Sequence, residues 1–287
     1  MADHPAESTD DKGWSTELFH EPTSFRPPSP EPTIIRHTTS DGTELKIRLV
    51  GGHPLWGHVL YPAAIILSRY VQEHSTLLFP ETQFTKVLEL GAGGGLPGIT
   101  CVLQGANLVV TTDFPDPALI SNLEWNRDAN LAPALRHRLV VKGLKWGTKL
   151  EDESLLIQAA DPSSSETAAP TSPNSASPGF DIILLSDLVF NHSEHLSLLT
   201  TCESSLRAAT PGRPPPCLLV FYSHHRPWCV EADEQFFVLA QQRAWQCTRI
   251  IQDPHAGLAF PNDQGDPVVR GTVHGWRLTR DSTPSGL

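Results

Sequence analysis

The stretch from Val87 to Gly98 carries the residue types and spacing best suited to holding a reactive ligand in this 287-residue chain. Val87-Leu88-Glu89-Leu90 runs into Gly91-Ala92-Gly93-Gly94-Gly95 and then into Leu96-Pro97-Gly98. An apolar run of this kind reads as a buried strand, and Pro97 suits the first turn of a helix. The glycines allow a sharp turn and close approach of a ligand, which the free N–H groups of the helix start would face. Gly93 to Gly98 satisfies the dinucleotide spacing G-x-G-x-x-G, but so dense a glycine cluster satisfies it by composition alone. Counted from the strand end, the frame is Gly91-x-Gly93-x-x-Leu96, and the third glycine is missing. Glu89 brings a carboxylate to the strand tip, where it would repel a diphosphate and attract the ammonium of an amino-acid-like ligand. Asp113 closes the next apolar run, 22 residues after Gly91, where a carboxylate can accept both hydroxyls of a ribose. Asp113 serves any nucleoside; Glu89 favours S-adenosyl-L-methionine over NAD.

A sulfonium donor already has its leaving group, so the remaining task is to bring a neutral nucleophile in line with the methyl carbon. Asp187 stands where another apolar run ends, in Ser186-Asp187-Leu188-Val189-Phe190. A carboxylate there can orient an amine or pass its proton to water. It can also cap a following helix, although Asn191 or Ser193 would serve that purpose better. Phe190 offers an aromatic wall to a methylammonium. Tyr222, His224 and His225 follow a further run at the same edge, as substrate contacts or as loop packing. No third ligand lies near the two histidines at metal-binding spacing, so no metal is expected.

The elements that must position these residues are short apolar runs alternating with helical patterns. The runs Thr85–Leu90, Asn107–Thr112, Arg138–Lys142, Phe180–Ser186 and Cys217–Ser223 read as strands covered on both faces. Helices are expected over Pro97–Gln104, Asp116–Ala129, His192–Ala208 and Val230–Ala244. Gln246–Gln252 and Thr272–Thr279 are two further strands, joined by a loop. Alternation of this kind implies right-handed crossovers and a doubly wound, Rossmann-like α/β sheet of seven strands, with an antiparallel edge strand. A strand near Leu45–Val50 and a helix after Tyr61 form a short N-terminal extension.

Composition frames the rest. At roughly 100–200 residues per domain, the length allows one large domain or two small ones. Residues 1–33 hold seven acids, two bases and six prolines, and read as a disordered tail before a catalytic domain spanning 34–287. From Ala159 to Gly179, 17 of 21 residues are Ala, Ser, Thr or Pro, which reads as a flexible insertion. The net charge of −11 disfavours a nucleic-acid partner and suits a basic protein or peptide. Five scattered cysteines without a CxxC pair suit a reducing compartment. An acidic N-terminus and the lack of a long apolar run imply a soluble, cytoplasmic protein without membrane contact.

Five segments in order, HPLWGHVLYPAA (His53–Ala64), LELGAGGGLPG (Leu88–Gly98), TDFPDPALISNLEWN (Thr112–Asn126), LLSDLVFNHSEHLSLL (Leu184–Leu199) and FYSHHRP (Phe221–Pro227), carry a resemblance. Together they resemble the seven-strand S-adenosyl-L-methionine-dependent protein methyltransferases of the lysine-methyltransferase-16 superfamily. Within it they are most similar to the fungal N-terminal and lysine methyltransferases of translation elongation factor 1-alpha. The likeness spans about Ile35 to Arg280 and implies a monomeric enzyme with that factor as partner. It implies that Gly91, Ala92 and Gly93 line the methionine part of the cofactor and that Asp113 holds the ribose. Trp56 would close over the cofactor, Trp146 would lie beside the adenine, and the Ser186 backbone would border the cofactor. Asp187 to Phe190 matches the family's D/E-x-x-F/Y motif at the substrate entrance. Both tryptophans can also be read as core residues. A small-molecule N-methyltransferase and a non-catalytic cofactor-binding regulator remain alternatives.

Overall fold

The computed structural model describes residues 30–52, 57–148 and 179–280. Trp56, most of the N-terminal tail and nearly all of the Ser/Pro-rich insertion lie outside the described residues.

The described chain opens with an antiparallel hairpin, β1 (Thr33–Thr38) and β2 (Glu44–Leu49), followed by α1 (Pro62–Glu73) and the single turn α2 (Ser75–Leu78). The central units are β3 (Lys86–Leu90), α3 (Leu96–Leu103), β4 (Leu108–Asp113), α4 (Pro117–Asn130) and β5 (Leu139–Gly143). Next come β6 (Ile182–Ser186), α5 (His195–Ser205), β7 (Cys217–Ser223) and α6 (Val230–Gln242). The chain ends with β8 (Trp245–Asp253), the five-residue α7 (Pro267–Gly271) and β9 (Val273–Arg280). The expected strands and long helices are all present, within a few residues of their expected bounds. His192–Glu194 forms a separate 3-10 turn before α5, and α7 was not foreseen because it is a single turn.

The seven strands lie in the order β5-β4-β3-β6-β7-β9-β8. The first five pair in parallel, and β9 runs antiparallel to both β7 and the outermost strand β8. From β3 the chain winds outward through β4 to β5, then returns to place β6 on the other side of β3. That reversal opens a crevice beyond the carboxyl ends of β3 and β6, where open α/β sheets bind ligands. Gly91 and Asp187, each the first residue past its strand, meet there.

Strand alternation divides the core. Val87, Val109, Leu184, Leu219 and Phe221 face α1 and α3, and Leu88, Leu90, Val110, Leu185 and Val220 face α5 and α6. The hairpin is fastened to α4 by asparagines four residues apart, which occupy one face of that helix. Asn130 exchanges hydrogen bonds with the Lys46 backbone at 2.8 and 2.9 Å. Asn126 accepts from Arg48 N at 2.7 Å and donates to Arg48 O at 2.8 Å and to Gly94 O at 3.0 Å. Asn122 donates to Arg48 O at 2.9 Å. The amides supply what a third strand would, and Asn126 ties the hairpin to the glycine turn.

Candidate functional site

A cavity of about 380 Å³ occupies the crevice. Its floor is the turn after β3. Gly91 and Gly93 have φ of 57° and 55°, and Gly95 has φ of 69°, a left-handed backbone that glycine adopts without penalty. A Cβ on Gly91 would strike Leu188 Cδ2 at 2.6 Å, so the turn is packed tightly on that side. A Cβ on Gly93 would meet nothing within 4 Å, so that side is open to a ligand. Ala92 N–H donates to Thr112 O at 3.0 Å, and Gly93 N–H donates to Asp113 Oδ2 at 2.7 Å. Asp113 Oδ1 accepts from Phe114 N at 2.7 Å. Phe114, Leu144, Lys145 and Trp146 complete this half of the wall. Ser186 also lines the cavity, and its buried Oγ has no hydrogen-bond partner in the described structure.

The other half is built on Asp187. This residue is 3% exposed and has φ of 58°, an uncommon backbone for a side-chain-bearing residue, which persists only when its surroundings hold it. Its N–H donates to Phe221 O at 2.7 Å. Its Oδ2 pairs with His225 Nε2 at 2.8 Å, and its Oδ1 receives Ser223 N at 3.4 Å. Neither the 3-10 turn nor α5 has a side-chain cap, so Asp187 is not the cap of that helix. Burial disfavours charge on His225, but the Asp187 carboxylate outweighs it and raises the ring's pKa above its ordinary value. The His225 ring lies 5.6 Å from that of Tyr61 and 5.8 Å from that of Phe260. Tyr61 and Phe190 line the cavity beside Asp187. Burial, with the Asp187 charge adding, pushes the Tyr61 phenol well above its usual range.

Three candidates stand elsewhere. Glu89 is 1% exposed and does not line the cavity. Pleat alternation turns it to the α3 side with Val87, where its Oε2 accepts from Thr111 Oγ1 at 3.1 Å and from the Gly98 backbone. Burial pushes its carboxyl up to about 8, so the charge that was to attract an ammonium is largely absent near neutral pH. Tyr222, 1% exposed, faces the opposite side of β7 and packs against Phe237 and His274. His224 is 4% exposed and turns to Asp233, with Nδ1 2.8 Å from Oδ2. Neither lines the cavity. Of the β7-edge trio, the fold brings only His225 to Asp187.

With this geometry in place, similarity to known proteins becomes informative. The profile of the lysine methyltransferase family matches residues 39–162. The protein N-terminal and lysine N-methyltransferase efm7 of Schizosaccharomyces pombe is 38% identical over 267 residues, 91% of this chain and 94% of its own. The protein of the same name from Cryptococcus neoformans is 42% identical over 248 residues, 82% of this chain and 76% of its own. The chain belongs to this family of S-adenosyl-L-methionine-dependent methyltransferases. A Streptococcus mutans structure described as a putative SAM-dependent methyltransferase shares the fold. It has a TM-score of 0.50 at 12% identity, covering 86% of this chain and 56% of that one.

Residues of the methyltransferase that sequence reasoning passed over are Tyr61, Phe114, Asn126 and Asp233. Tyr61 stands at the end of the PLWGHVLY segment, and Phe114 follows Asp113 directly. Asn122, Asn126 and Asn130 show a four-residue period legible in the sequence. Asp233 gives no local signal.

Proposed function

We propose that this methyltransferase, a cytoplasmic monomer, methylates the N-terminal α-amine and an adjacent lysine of translation elongation factor 1-alpha. The observation that carries the reading is Asp187, which lines the same cavity as the glycine turn and is paired with His225, itself outside the cavity lining. The names of the relatives support a protein amine as acceptor, and the motif resemblance supports the elongation factor.

The residues present suit the cofactor. Gly91, Ala92 and the open face of Gly93 would receive its amino-acid end. Asp113 accepts the Gly93 and Phe114 N–H groups, which fix its carboxylate at the cavity wall where a ribose hydroxyl would meet it. Phe114, Leu144 and Trp146 would form an apolar slot for the adenine, and the unpartnered Ser186 Oγ offers a further polar contact. When bound, S-adenosyl-L-methionine supplies an electrophilic methyl group on a sulfonium.

The chain's own residues prepare the acceptor. Asp187 accepts an N–H of the incoming amine and directs its lone pair into the cavity. His225, hydrogen-bonded to Asp187, shares the buried negative charge and keeps the carboxylate in one orientation. Tyr61 keeps its proton and remains a donor. Phe190 supplies an aromatic face to the cationic product. A free α-amine, with pKa about 7.7–8.0, gives up its proton far more readily than lysine at about 10.4, and desolvation lowers both.

The test supplies purified elongation factor 1-alpha with isotopically labelled methyl donor and locates the label by tandem mass spectrometry. Label is expected on the α-amine and the neighbouring lysine, and N-terminal acetylation should abolish the first. Asp187→Asn should lower turnover about 10²- to 10⁴-fold with cofactor affinity unchanged. Label confined to small amines, or wild-type turnover in the Asn variant, refutes the reading.

A further inference from the structure

Asp233 lies in the first turn of α6, is 3% exposed and does not line the cavity. Its two oxygens hold two imidazoles: Oδ1 is 2.7 Å from His192 Nε2, and Oδ2 is 2.8 Å from His224 Nδ1. A carboxylate only accepts, so each of these nitrogens carries the donated proton. The two histidines come from the two segments that build the substrate half of the site. His192 follows Asp187-Leu188-Val189-Phe190 by two residues, and His224 immediately precedes the His225 that pairs with Asp187.

The bridge is part of a larger brace. His195 Nε2 lies 2.7 Å from Val189 O, within the same segment, and its ring meets that of His192 edge-on at 5.7 Å. The His224 ring is held by His274 at 5.0 Å and Tyr222 at 5.1 Å. The bracing holds Asp187 in a left-handed backbone, which is uncommon for a side-chain-bearing residue although aspartate tolerates it better than most. Among the described residues, no three His, Cys, Asp or Glu side chains are grouped to hold a metal ion. The ring nitrogens that face Asp233 are committed to it.

We propose that Asp233 is a positioning residue, whose carboxylate locks the Asp187–Phe190 segment to the His224–His225 segment and so sets the substrate half of the site. The proposal rests on the reading of Asp187 and His225 given above. The cofactor half has fastenings of its own in Asp113 and Asn126, and it touches the braced segment through Leu188 against Gly91, so the bridge acts chiefly on the acceptor.

The experiment uses the full chain with saturating cofactor and the amino-terminal peptide of elongation factor 1-alpha as acceptor. His192→Ala removes one arm at a position 31% exposed, outside the fully buried core. It should lower kcat/KM for the peptide about 10- to 100-fold, the scale of a lost charge-assisted hydrogen bond. Calorimetry should give an unchanged cofactor Kd. His192→Gln keeps an N–H donor and should recover most of the activity. Asp233→Asn should cost at least as much as His192→Ala, and adding His192→Ala to it should cost little more, because the His192 arm acts only through Asp233. Peptide kcat/KM in His192→Ala within about twofold of the parent overturns the proposal. So does a cofactor Kd that weakens in step, or a failure of glutamine to rescue. Asp187→Asn runs in parallel: full activity there refutes the underlying site. Its inactivity alongside a normal His192→Ala refutes only the role of Asp233.

Discussion

A methyl group added at Gly93 meets nothing of the protein within 4 Å, whereas one added at Gly91 meets Leu188 Cδ2 at 2.6 Å and Trp146 Cζ2 at 3.1 Å. Both positions have nearly the same φ, 55° and 57°, so alanine carries a similar backbone cost at each. That cost is about 1–2 kcal/mol, and Gly93→Ala should lose no more than this in unfolding free energy. Any cofactor affinity it loses then reports a clash with the ligand itself. Overpacking a close-fitting site costs about 1–3 kcal/mol, so Kd should rise about 5- to 150-fold. Gly91→Ala must also displace Leu188 and Trp146, which brings its stability loss to about 2–5 kcal/mol. Leu188 is joined to Asp187, so turnover should fall as well. Urea titration measures the stability of both variants, and calorimetry with S-adenosyl-L-homocysteine measures their cofactor sites. If Gly93→Ala binds within about twofold of the parent, the open side of the glycine turn is not where the ligand lies.

Glu89 makes stability depend on pH. Burial raises its folded pKa from 4.5 to about 8, so its contribution is complete below the unfolded value and declines as pH rises toward the folded one. Urea titrations should show a loss of about 3 kcal/mol between pH 5 and pH 8, absent in Glu89→Gln. Equal slopes in both proteins refute the burial argument. Asn126→Ala removes hydrogen bonds to Arg48 N, Arg48 O and Gly94 O, and should lower unfolding free energy by about 2–4 kcal/mol while weakening cofactor binding. A stability change below about 0.5 kcal/mol would mean that the asparagine ladder does not fasten the hairpin.

The strands, the long helices and the glycine turn were legible because their signals are local. Val87–Leu90 and Cys217–Ser223 are near-continuous apolar runs, as strands buried on both faces require, and Gly91 through Pro97 marks its own turn and helix start. The places of Asp113 and Asp187 were legible for the same reason, since each ends or follows such a run at the carboxyl edge of the sheet. Which way a side chain points was a different matter. Glu89 and Tyr222 lie within three residues of Gly91 and His225 in the chain, yet the pleat turns one under α3 and the other toward α6. Successive residues of a strand face opposite sides, and only packing against the helices decides what each side meets. Pairings across the chain were hidden in the same way. His225 reaches Asp187 from 38 residues away, and His192 reaches Asp233 from 41. Spacing along the sequence carries the period of an element and the chemistry at its end. Tertiary packing decided which carboxylate a histidine meets, because that depends on how β6, β7 and α6 are laid against one another.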